Sequence, residues 1–135
     1  MSDINSVFEA ISLYQAHYSQ VDKLWDYFSV VSISVAGFVI GSQKATKSFK
    51  EALIIAVAYL AFCIGNNLAL TNGQKQLQQL AQIAIDLGKE TGIDVSALAP
   101  LSTCHVATFQ ILIALSVSIG VLFIAFLRRE KNNLE

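Results

Sequence analysis

Asn66 and Asn67 are adjacent carboxamides inside a run, 52–70, that is otherwise apolar apart from Gly65. A carboxamide in hydrocarbon must find hydrogen-bond partners, and neighbouring residues on a helix project about 100° apart, so at least one of the pair must face another helix or a water-filled path. Gln110 sits at a similar depth in a second apolar run and is the expected partner. Two roles are open to the three residues: an interhelical clamp, or the polar lining of a pore. Asp22 and Asp26 lie one helical turn apart at the start of a third apolar run. Repeated in a symmetric oligomer they would form an acidic mouth that concentrates cations; in a single chain they are a solvated helix edge beside Lys23.

Other reactive side chains form weaker patterns. Cys104 and His105 are neighbours, yet adjacent residues on a helix do not face each other, so a lowered thiol pKa is not expected there. Cys63 reads as a small apolar core residue too deep for a disulfide to Cys104, and His17, among polar neighbours, reads as solvated. Two cysteines and two histidines without ligand spacing do not make a zinc site. The sequence holds no Ser/His/Asp set, paired buried carboxylates, phosphate loop or HExxH. The expectation is a protein that is not an enzyme and that needs no cofactor or metal. A formal net charge of −1, with its nine basic residues in short clusters, gives no surface for nucleic acid.

These residues must be positioned by helices. Of the 135 residues 54% are hydrophobic and 14% charged, and the mean hydropathy is +0.54, outside the ordinary soluble range. From Ile4 to Gly41 apolar side chains recur at Ile4, Val7, Ile11, Tyr14, Tyr18, Val21, Trp25, Phe28 and Val35, in steps of three and four, interrupted only by Ser32. That is a heptad seam. Up to Lys23 the opposite face is polar; from Leu24 onward it is apolar, so one helix passes from water into lipid. At ~1.5 Å per residue it would be roughly 57 Å long against a hydrocarbon core of about 30 Å. Ser6 with Glu9 offers a capping box, with Ser2 and Asp3 as competing caps upstream. The segment has no basic n-region and does not read as a signal peptide.

The expected fold is an all-α integral membrane protein with three transmembrane helices. An N-terminal amphipathic helix (3–23) continues into span 1 (24–41), a turn (42–51) leads to span 2 (52–70), and a second extramembrane helical segment (72–103) precedes span 3 (106–127) and a tail (128–135). Leu77, Leu80, Ala84 and Leu87 pattern the segment after span 2, and Asn72-Gly73 either separates it from that span or lies within one continuous helix. Gly88 and Gly92 mark its end, Asp94 and Ser96 offer a new cap, and Pro100 suits the first turn of the last helix. Gly37 and Gly41 form a GxxxG, and Ser116 and Gly120 repeat the small-residue spacing; both are helix-packing surfaces, toward the chain's own spans or toward another subunit.

Lys and Arg cluster in the short turn and the tail, so the positive-inside rule puts these in the cytoplasm and the N-terminus outside, in a bacterial inner membrane. Both amphipathic segments then share one side, where their apolar stripes can cover each other. The partners expected are membrane lipid, further copies of the chain in a homo-oligomer, and an unidentified protein. The leading functional expectation is a homo-oligomer forming a cation-permeable channel or pore. The alternative is a non-conducting accessory, immunity or regulatory subunit that binds a partner through its external helices. The N-outside, three-span layout with a basic tail is similar to that of one class of phage holins; the likeness is of topology alone and implies hole formation as a third reading.

Overall fold

The computed structural model describes residues 3–132, which are all-helical, 88% helix without a strand. Three long helices follow in order: α1, Ile4–Gly41; α2, Phe49–Thr91; and α3, Thr103–Asn132; a 3-10 turn, Ser96–Leu98, lies between the last two. Each is long and apolar enough to cross a membrane. Ser2 and the tail residues beyond 132 lie outside the described residues.

Helix boundaries follow local hydrogen bonding, and several differ from the sequence expectation. α1 starts at Ile4, directly after Asp3, one of the competing caps upstream: the Ser6 N–H donates to the Asp3 carbonyl at 2.9 Å, so Ser6 and Glu9 are inside the helix and do not cap it. α2 starts at Phe49, shortening the expected turn. Ser48 caps it, its Oγ accepting from the Lys50 N–H at 3.1 Å while Glu51 Oε2 accepts from the Ser48 N–H at 3.2 Å. That reciprocal pair is a capping box of the Ser-x-x-Glu type, one the sequence reading had assigned to the turn.

α2 runs unbroken through Asn72-Gly73, the second of the two alternatives. Its buried residues keep stepping by three and four across the pair, from Ala52, Ala56, Tyr59, Cys63, Asn66 and Leu70 through Gln74 to Leu77, Ala81 and Ala84. Burial along that stripe offsets the ~1 kcal/mol that a glycine costs inside a helix. The glycine also has a packing reason, since a Cβ on Gly73 would stand 2.8 Å from Val21 Cγ2. The helix ends in a Schellman turn: Gly92 takes φ +76° and the Ile93 N–H donates to the Gly88 carbonyl at 2.8 Å. Asp94 Oδ1 accepts from the Ser96 N–H at 3.0 Å, and this bond holds its carboxyl below the usual aspartate value. α3 is capped by Ser102, whose Oγ accepts from the His105 N–H at 3.4 Å. Pro100 therefore precedes the helix and is not in its first turn.

The chain forms two compact units. The first comprises the chain up to Trp25 with Leu68–Ala107. In it Tyr14, Val21, Leu70, Leu77, Ala81 and Val106 form one buried cluster, so the two amphipathic stripes cover each other within a single chain. The second comprises Asp26–Asn67 with the chain from Thr108. Val39, Ala52, Ala56, Val121 and Ala125 form its core, the three alanines leaving room for helices to approach closely. This second unit reverses the polarity of a water-soluble bundle. Gln110 is 1% exposed and Asn66 8%, whereas Ile33 is 73% and Ile54 68% exposed.

Candidate functional site

The polar interior of the second unit is built from all three helices. Asn67 Nδ2 on α2 donates to Gln110 Oε1 on α3 at 2.8 Å. Asn66, on the same turn, is buried, and its Nδ2 and Gln110 Nε2 have no partner among the described residues. On α1, the Ser32 hydroxyl donates to the Phe28 carbonyl at 2.7 Å and lies 2.7 Å from the Tyr59 hydroxyl. A serine carries one hydroxyl hydrogen, so Tyr59 donates to Ser32, and the chain of bonds ends on the α1 backbone. Ser32 had appeared only as a break in the apolar seam, and Tyr59 as one more apolar residue of span 2. A tyrosine four residues before a cysteine on the buried stripe was the one signal available.

A second polar centre closes the far end of this unit. The Arg128 guanidinium donates from Nη1 to the carbonyls of Val39 (3.1 Å) and Ser42 (3.0 Å) and from Nη2 to that of Ile40 (2.9 Å), and it also meets Thr46 Oγ1. These carbonyls belong to the last turn of α1 and the residue after it, where no intrahelical N–H remains to satisfy them and the helix dipole is negative. Arg128 was legible only as one charge in a basic tail.

The remaining predicted positions are separate from these centres. Gly37, Gly41 and Gly120 each have open space where a Cβ would stand, so none makes a close approach to another helix of the chain. Ser116 is exposed and its hydroxyl donates back to the Leu112 carbonyl at 2.8 Å. Ser116 and Gly120 border a shallow apolar groove of about 290 Å³ with Ala36 and Ile40. Asp26 is exposed in the second unit. Asp22 is exposed in the first, at the wall of a cavity of about 310 Å³.

No protein family, curated protein or solved structure matches this chain.

The cysteines stand apart, Cys63 buried and Cys104 exposed, both free. His105 Nδ1 bonds to Ser102 Oγ, so its ring is engaged by the cap rather than by Cys104. His17 is half-buried, with Nε2 enclosed and without a partner among the described residues, where the sequence had placed it in water. Val7, Ala10 and Tyr14 are buried on the same helix, and that face carries the His17 ring into the interior.

The Asn67 to Gln110 bond has a direct test. Single and double alanine variants at Asn67 and Gln110 should show a coupling energy of about 0.6–1.7 kcal/mol in favour of the pair. Reversible unfolding in mixed micelles, followed by circular dichroism, measures it; additivity of the two single changes would remove the bond from the list of stabilising contacts.

Proposed function

We propose that this chain is a small integral membrane subunit that assembles as a homo-oligomer and acts by binding through its first helical unit, not by conducting ions. The observation that carries this reading is the inverted polarity of the second unit. Exposed isoleucine, leucine and phenylalanine side chains face outward, while hydroxyls and carboxamides are directed to one another inside one chain. In lipid, such polar groups hold helices together. The bond from Asn67 to Gln110 supports the clamp role over a pore lining.

Orientation follows from charge. Lys44, Lys47, Lys50, Arg128, Arg129 and Lys131 belong to the second unit, at the α1–α2 turn and the end of α3, and the positive-inside rule puts these ends in the cytoplasm. The first unit then faces outward from a bacterial inner membrane, with lipid and an unidentified protein as partners. The open faces at Gly37, Gly41 and Gly120 support subunit contacts, because nothing within the chain fills them. A cation pore is the second reading, favoured by the exposed Asp22 and Asp26.

Particle mass and ion flux decide between these. The purified chain in nanodiscs or mild detergent should be larger than a monomer, and potassium flux through its liposomes should equal that of empty ones. Flux that falls in Asp22→Asn/Asp26→Asn would replace the binding reading by the pore. Gly37→Ile with Gly41→Ile should shrink the particle without loss of helicity; a monomeric wild type would end the homo-oligomer proposal.

A further inference from the structure

The cavity in the first unit has a distinctive wall. Tyr14, Tyr18 and Trp25 line it together with Asp22, on successive turns of one face of α1. Tyr14 and Tyr18 stand with ring centroids 6.2 Å apart and planes inclined by 33°, which presents two aromatic surfaces at an angle instead of a closed stack. Burial, with Tyr18 nearby, raises the Tyr14 phenol pKa further above the physiological range. Among the described residues Asp22 enters no ion pair, so its charge is available to the cavity. The opposite wall comes from Gln74, Leu77 and the segment ahead of α3.

Aromatic faces attract cations through their quadrupoles, and a carboxylate at the rim adds a full opposite charge. The wider unit has the same sign: Asp3, Glu9, Asp22, Asp86, Glu90 and Asp94 stand against Lys23, Lys75 and Lys89. Asp22 is the one charged side chain on the wall. The Leu101 carbonyl already accepts from Gln74 Nε2 at 2.7 Å and Gln78 Nε2 at 3.3 Å. A primary ammonium or a metal ion is strongly hydrated, and would have to give up that shell with a single charged group to replace it. A quaternary ammonium has no N–H to satisfy and is held by ring faces together with one carboxylate. The volume of about 310 Å³ is at the small end of ligand sites, about 300–1,000 Å³, and suits a headgroup-sized cation.

We propose that this cavity binds an organic quaternary ammonium, seated between Tyr14, Tyr18 and Trp25 with Asp22 as its counter-ion. The site belongs to the first unit alone and does not depend on whether the chain conducts. The ammonium has two sources of the same chemistry, a choline-type lipid headgroup and a soluble cation.

Trp25 is the sole tryptophan of the chain, so its fluorescence reports the cavity directly. The full chain in a non-ionic detergent is titrated with tetramethylammonium chloride, and with potassium chloride at matched ionic strength. Tetramethylammonium alone should give a saturable change. Asp22→Asn and Tyr18→Leu, both at exposed positions, should each weaken it about 3- to 30-fold with unchanged circular dichroism. An equal response to potassium, or unchanged affinity in both variants, would overturn the site. Nanodiscs separate the sources: a response in phosphatidylglycerol discs that vanishes in phosphatidylcholine discs makes the headgroup the ligand, and equal affinity in both makes it a soluble cation. Absence of any response in detergent and in both discs rejects the proposal, whatever particle mass and flux have shown.

Discussion

Arg128→Ala should lower the stability of the folded chain by on the order of 3 kcal/mol, and Arg128→Lys should recover less than half of that loss. One planar guanidinium serves three carbonyls and the Thr46 hydroxyl, and Thr46 is itself only 1% exposed. Truncation leaves the Val39, Ile40 and Ser42 carbonyls and the buried Thr46 hydroxyl without this donor. The loss exceeds that of an ordinary surface ion pair because one side chain serves several helix-end carbonyls at once. Lysine retains the charge against the helix dipole, yet its compact ammonium cannot address Nη1 and Nη2 acceptors at once. Unfolding in mixed micelles, or a steric-trapping assay, measures the difference. A lysine variant as stable as the wild type would reduce the role of Arg128 to its charge.

Gly88→Ala should cost roughly 1–3 kcal/mol, although alanine is the better helix former. A Cβ at this position would stand 2.6 Å from the Ile93 carbonyl oxygen and 2.7 Å from Val95 Cγ2. The first of these is backbone, held by the 2.8 Å bond from the Ile93 N–H to the Gly88 carbonyl, and it cannot turn aside as a side chain can. Accommodation therefore requires opening the Schellman turn that ends α2. Gly65→Ala is the internal control: nothing lies within 4 Å of its Cβ position, so the change should be neutral or stabilising. The same unfolding assay reads both, and equal stability of the two variants would remove the steric account of Gly88.

The heptad from Ile4 to Phe28 was legible because burial leaves a periodic trace. Val7, Tyr14, Val21 and Phe28, seven residues apart, are all buried, while Ile4 and Tyr18 of the same seam are exposed. Periodicity identifies the side of a helix that is covered, but not how far the cover extends. Asn66, Asn67 and Gln110 stood out because polar residues are rare in apolar runs. Arg128 did not, because a basic residue at the end of such a run has a sufficient explanation in topology alone. The Ser48–Glu51 capping box was present in the sequence and was hidden by three nearby lysines, which made 42–51 read as one loop.

Composition and period by themselves determined three apolar stretches long enough to cross a membrane and the positions of their polar interruptions, since each depends on residues near in sequence. Tertiary structure decided everything that depends on which faces meet. It kept α2 continuous through Asn72-Gly73, because a buried stripe on both sides outweighs the cost of one glycine. It paired Asn67 with Gln110 and left Gly37 and Gly41 open, and it gathered Tyr14, Tyr18, Asp22 and Trp25 around a cavity whose far wall comes from residues some fifty to eighty positions later in the chain. Contacts at that separation are fixed by helix packing, for which local propensity carries no signal.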